Sequence, residues 1–262
     1  MSNPHLPEEL LDHIVDLLYD TRHTLKSCSL VSKSWIQRTR KYLFASVVFH
    51  TAANLESWRK SFPDPATSPA CYTKVLAINC PQAITAADAE EGGLIPTFSS
   101  VVSFGLDVYG ANLHWRTTQL NLLHGFSPVL KSFHMSFTDF SPSPIPDLIF
   151  SFPLLEDVSL WAYGGFRDDP FDASSVPVRP SSPPTFTGSL KLSLMYGLDP
   201  IASRLLSLPS NLHFRELSLA WQVGSDVLST MALVESCHST LESLCIRCEL
   251  IGTPVQYIHP GQ

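Results

Sequence analysis

The residues best suited to chemistry lie toward one end of the chain. Cys245-Ile246-Arg247-Cys248, with Cys237-His238 just upstream, carries the ligand types of a zinc site. Its context argues otherwise. If 241–248 is a strand, Leu244, Ile246 and Cys248 point one way and Cys245 and Arg247 the other, so a single metal cannot take both sulfurs of the pair. A redox-active Cys-x-x-Cys belongs at a helix N-terminus, which the surrounding Leu241-x-x-Leu244-x-Ile246 string contradicts. The ten histidines form neither His-x-x-x-His nor His-Glu-x-x-His. Neither a Gly-x-Ser-x-Gly elbow, a phosphate-cradling Gly-rich loop nor a dinucleotide fingerprint occurs. The expectation is a chain that holds no metal or cofactor and is not an enzyme; a site assembled in space from distant residues is the alternative.

Bulk properties narrow the partners. The 262 residues are 44% apolar and 16% charged, ample for a core, with a net charge of −7. Residues 1–50 carry six Lys/Arg and five Asp/Glu, a net of +1, which leaves −8 for residues 51–262. Neither nucleic acid nor an anionic membrane is the expected partner of that acidic part. The start of the chain has no signal-peptide pattern, and no apolar run is long enough to span a bilayer. Six irregularly spaced cysteines, mostly within apolar strings, read as reduced residues of a protein of the cytosol and/or nucleus.

The elements that position any functional residue fall into two parts. At the front, Pro7 suits the first turn of a helix, and Glu8, Glu9 and Asp12 favour its N-terminal end. Leu10, Ile14, Leu17 and Leu11, Val15, Leu18 then recur at steps of three and four, opposed by Asp12, His13 and Asp16, giving a helix to about Tyr19. A polar break at 20–24 precedes a short apolar turn at Leu25 to Cys28. A third helix follows with Val31, Trp35, Thr39, Tyr42 and Leu43 on one side. So small a unit cannot bury helices this apolar on both sides, and the surplus face wants a partner. Lys33, Arg38, Arg40 and Lys41 on the third helix raise a helix-turn-helix DNA reader as a rival, which the acidic chain disfavours.

Leu6-Pro7-x-Glu9-Leu10-Leu11-x-x-Ile14, a leucine turn, then Leu30-Val31-Ser32-Lys33-Ser34-Trp35 resembles the F-box over roughly Leu6 to Phe44. The resemblance implies docking on a Skp-type adaptor and, through it, a cullin that carries a ubiquitin-conjugating enzyme. By carry-over, Leu6, Pro7, Leu10, Ile14, Leu25, Val31 and Trp35 form the adaptor-facing or adaptor-supporting surface.

Beyond Phe44 the apolar period changes to two. Pairs begin at Val47, Leu76, Phe104, Phe133, Val158, Leu192, Leu217 and Leu244, at intervals of 29, 28, 29, 25, 34, 25 and 27. Several carry a leading apolar residue three before the pair: Leu130, Leu155, Phe214 and Leu241. Helical returns are expected at 54–62, 117–124, 146–152, 199–208 and 226–237. These strings resemble the Leu-x-x-Leu-x-Leu strand of leucine-rich repeats, although the Asn or Cys usual after the strand is mostly missing.

The fold class expected is therefore α + α/β: a three-helix F-box-like unit over 1–45, then an irregular leucine-rich-repeat-like solenoid over 46–262. A Pro/Ser-rich loop is inserted at about 164–188. His134, Ser136, Ser159, Trp161, Met195, Ser218, Trp221 and Arg247 are expected along or near its inner face. Of these His134, Trp161, Trp221 and Arg247 are the candidate contacts to an unknown target protein, with packing of Trp161 and Trp221 as core at repeat ends the equal alternative. Together the two parts read as the substrate-recognition adaptor of a Skp-cullin-F-box ubiquitin ligase. The alternative is an interaction scaffold whose leading helices are only an N-terminal cap.

Overall fold

A computed structural model describes residues 7–90, 92–108, 123, 126–138, 144–162, 186–194, 199–207, 212–222 and 227–249. Three helices come first: α1 (Glu8–Leu17), α2 (Arg22–Val31) and α3 (Lys33–Leu43). Pro7 is the N-cap of α1 and accepts the Leu10 and Leu11 N–H groups on its carbonyl. The break expected at 20–24 is shorter than the polar residues implied, and α2 is a full helix of ten residues rather than a turn. Arg22, His23 and Thr24 form its first turn because Leu25 and Cys28, three apart, bury one face of it. Val31 closes α2 and does not belong to α3. Ser32, extended and accepting the Ser34 N–H on its hydroxyl, separates the two.

Eight strands follow: β1 (Ser46–Phe49), β2 (Val75–Ile78), β3 (Ser103–Val108), β4 (Ser132–Phe137), β5 (Asp157–Ala162), β6 (Ser189–Leu194), β7 (Glu216–Gln222) and β8 (Ser243–Glu249). They form one sheet in sequential order, every neighbouring pair parallel. Parallel neighbours need a crossover at each step. Helix α4 (Ala52–Ser61) begins the first crossover, with Thr51 and Asn54 in a capping box. Short turns of helix follow, including α5 (Ala86–Ala89) and α6 (Leu94–Thr97). Later crossovers hold α7 (Pro144–Phe150), α8 (Asp199–Leu206) and α9 (Val227–Cys237). The returns expected at 54–62, 146–152, 199–208 and 226–237 match α4, α7, α8 and α9 within a few residues. The return expected at 117–124, apart from Leu123, and nearly all of the loop expected at 164–188 lie outside the described residues.

Period two drives the packing. In β3 to β5, Phe104, Leu106, Val108, Phe133, Met135, Phe137, Val158, Leu160 and Ala162 are buried, while the residues between them face the open side. The register corrects one strand. Leu190 pairs with Val158 and with Leu217, so the β6 core pair starts at Leu190 rather than Leu192, which evens the longest interval of the repeat. A slip of two residues leaves the faces unchanged, so alternation alone could not detect it. Where β6 enters the sheet, the Asp157 carboxylate accepts the Ser189 N–H at 2.7 Å and its hydroxyl at 2.8 Å. A Cβ at Gly188 would collide with that carboxylate. Leu244 and Ile246, expected inside, are about half exposed because β8 has a neighbour on one side only among the described residues.

Candidate functional site

Two surfaces contain the residues picked out in the sequence. The first is on the leading helices. Helix α1 carries two apolar stripes, and the structure separates them. Leu11, Val15 and Leu18 turn inward, with Val15 fully buried. Leu10, Ile14 and Leu17 stand 51%, 43% and 66% exposed, and Leu30 and Val31 at the end of α2 are 88% and 71% exposed.

Asp12 and Asp16, read from sequence as the solvated side, instead fasten α1 to α3. Arg38 Nε donates to Asp16 Oδ1 at 2.7 Å, and its two terminal nitrogens donate to Asp12 Oδ2 and Asp16 Oδ2. Tyr42 donates its hydroxyl to Asp16 at 2.6 Å. These bonds, those from Arg38 above all, hold the Asp16 carboxyl well below the usual carboxylate range, and the same carboxylate raises the Tyr42 phenol. With polar groups doing the fastening, the Leu10 stripe stays free. The signal was present as two pairs four apart, Asp12/Asp16 and Arg38/Tyr42, which must face each other if α1 and α3 pack.

The other residues picked out at this end divide. Pro7 is exposed and Leu25 is buried against the neighbouring helices, so Leu25 supports the unit from inside. Trp35 is half-buried, and its Nε1 is shielded from solvent with no acceptor among the described residues. Leu6 lies outside the described residues. Phe44 joins this unit to the sheet, meeting Trp58 and Phe62 edge-on at 5.7 and 5.8 Å.

The second surface is the open face of the sheet. Register sets Gly105, His134, Ser159, Lys191, Ser218 and Cys245 in one row and Asp107, Ser136, Trp161, Ser193, Ala220 and Arg247 in the next. His134 and Trp161 are brought together, their rings 6.3 Å apart. The His134 Nε2 lies 3.1 Å from the Ser136 hydroxyl, and Trp161 donates its indole N–H to Ser159 at 2.9 Å. Burial lowers the His134 imidazole below its ordinary pKa, against the opposing pull of Asp107. Asp107 was missed in the sequence, although it occupies the same alternating position in β3 that Ser136 and Trp161 occupy in β4 and β5. Arg247 is exposed on β8, four strands from His134 in sheet order and not part of that cluster.

Trp221 lies in a different row from Trp161. It pairs with Leu194 and Cys248, in the backbone row of the buried Phe137 and Ala162, and the counterpart of Trp161 in β7 is Ala220. Its side chain lies outside the described residues, as does all of Met195. Cys245 is half-buried on the open face and Cys237 fully buried, its thiol raised by burial. Among the described residues no three His, Cys, Asp or Glu side chains converge as metal ligands would, and no helix is long and apolar enough to cross a membrane. In comparisons with known proteins, no protein-family model matches the chain and no curated protein matches it.

Proposed function

We propose that this chain is a tethering adaptor of a Skp-cullin-F-box ubiquitin ligase. Its F-box-like helices dock on a Skp-type adaptor, and a leucine-rich-repeat-like solenoid built on the parallel sheet holds a target protein. The chain does no bond chemistry itself; binding both partners at once raises the effective concentration of target lysines near the conjugating enzyme. The observation that carries this reading is the uncovered set Leu10, Ile14, Leu17, Leu30 and Val31 on the leading helices. The motif from Leu6 to Phe44 supplies the identity of the partner. The sequential parallel order with one crossover per strand supports the repeat reading, and the His134–Trp161 cluster on its open face supplies an aromatic anchor for a target.

The test is co-purification of the full chain with a Skp-type adaptor. A stoichiometric complex is expected. Leu10→Asp with Ile14→Asp should weaken it by at least about 30-fold while leaving far-UV circular dichroism unchanged, since central apolar contacts carry most binding energy. A folded chain that ignores the adaptor at every concentration tried would sink the proposal. It would favour the second reading, that the helices only cap the sheet, which draws on the Phe44 contacts to Trp58 and Phe62.

A further inference from the structure

Strand β1 ends the sheet and has a neighbour on one side only among the described residues. Its bonds to β2 engage alternate residues. The Ala45 carbonyl accepts the Val75 N–H at 3.0 Å, and the Phe49 carbonyl accepts the Asn79 N–H at 2.9 Å. In a parallel strand the intervening residues turn their N–H and C=O the other way, so those of Ser46 and Val48 face away from β2. A cleft of about 430 Å³ lies on that side. Every residue of β1 lines it together with His50, Arg22 and Trp58, and no β2 residue does.

We propose that this cleft binds an extended acidic peptide of a partner protein, which joins the sheet as an added strand beside β1. Two observations converge on that occupant. The exposed edge offers a row of backbone donors and acceptors that only an extended chain can match. The second is charge: the lining includes Arg22 and no Asp or Glu, in a chain of net charge −7.

Arg38 is engaged by Asp12 and Asp16, whereas Arg22, at the cleft, has no carboxylate partner among the described residues. Arg22 is also the first residue of α2, where a cation opposes the helix dipole, and the first turn holds no acidic residue to offset it. A carboxylate at this point would satisfy both charges. Trp58 also lines the cleft, its ring packed edge-on against Phe44 and Phe49. The site is distinct from the Leu10 stripe and holds whether or not the leading helices bind an adaptor.

The test uses the full chain and a short fluorescein-labelled peptide of alternating valine and glutamate, with a valine–lysine peptide as its charge opposite, read by fluorescence anisotropy. The acidic peptide is expected to bind at least about tenfold more tightly than the basic one. Arg22→Glu, at an exposed position, should reverse that preference. Val48→Pro removes an edge N–H that the β2 ladder does not use, and should abolish binding with circular dichroism unchanged. Equal binding of the two peptides, binding of neither, or an Arg22→Glu chain that keeps its preference would overturn the proposal. Self-association that Val48→Pro abolishes would overturn it too, since a second copy would then be the occupant.

Discussion

The two ends of the molecule satisfy their apolar residues in opposite ways. In the sheet, inward positions from Phe104 to Leu219 are buried almost without remainder, and rings such as Phe133 sit among Phe104 and Phe152 at 5.9 and 6.3 Å. In the leading helices Val15, Leu25 and Cys28 are buried, but the Leu10 stripe and Val31 are left in solvent while Arg38, Asp12, Asp16 and Tyr42 tie α1 to α3. One region is held by close packing and the other by a polar clasp. The sheet hides its inward rows, whereas the leading helices leave Leu10, Ile14, Leu17, Leu30 and Val31 uncovered.

The contrast can be broken at several points. The largest effect belongs to the sheet: Phe133→Ala should cost about 4 kcal/mol, measured as a shift in the midpoint of denaturant unfolding. A loss under about 1 kcal/mol would mean that the core is loose and the contrast false.

A smaller effect belongs to the clasp. The Asp16 carboxyl titrates lower in the folded chain than when unfolded, so its stabilisation is complete above the ordinary carboxylate range and is lost as the pH falls through and below that range. Amide NMR of an acid titration should show α1 separating from α3, and Arg38→Met should remove that acid sensitivity, because the carboxyl then returns toward its ordinary value. The smallest effect is the sharpest test. Leu30→Ser and Val31→Ser should change stability by less than about 0.5 kcal/mol, since neither side chain is buried in the isolated chain. A thermal shift of several degrees would instead make them part of a core.

Much of the sheet was legible in the sequence, because alternation of buried and exposed positions is the physical signature of a strand covered on one face. Every apolar pair from Val47-x-Phe49 to Leu244-x-Ile246 lies in a strand, and the leading Leu130, Leu155 and Phe214 are buried as their spacing implied. What escaped depends on neighbours that one segment does not encode. The slip in β6 and the backbone row of Trp221 are set by register with adjacent strands. The division of α1 into a buried and an open stripe is set by where α3 lies. The cleft beside β1 draws on Arg22, the strand itself and Trp58, three elements that meet only in the fold. The Asp12 and Asp16 side of α1 was misread for the same reason: a carboxylate looks solvated until an arginine twenty-odd residues later is found beside it.

The strictly sequential strand order has a consequence for how the chain comes to be built. Among the described residues each strand pairs with the strand just before it and the strand just after, so no pairing there waits for a distant part of the polypeptide, and every closure spans a modest length of chain. During synthesis each newly emerging strand would find its upstream neighbour already in place, and the sheet could lengthen in step with the ribosome.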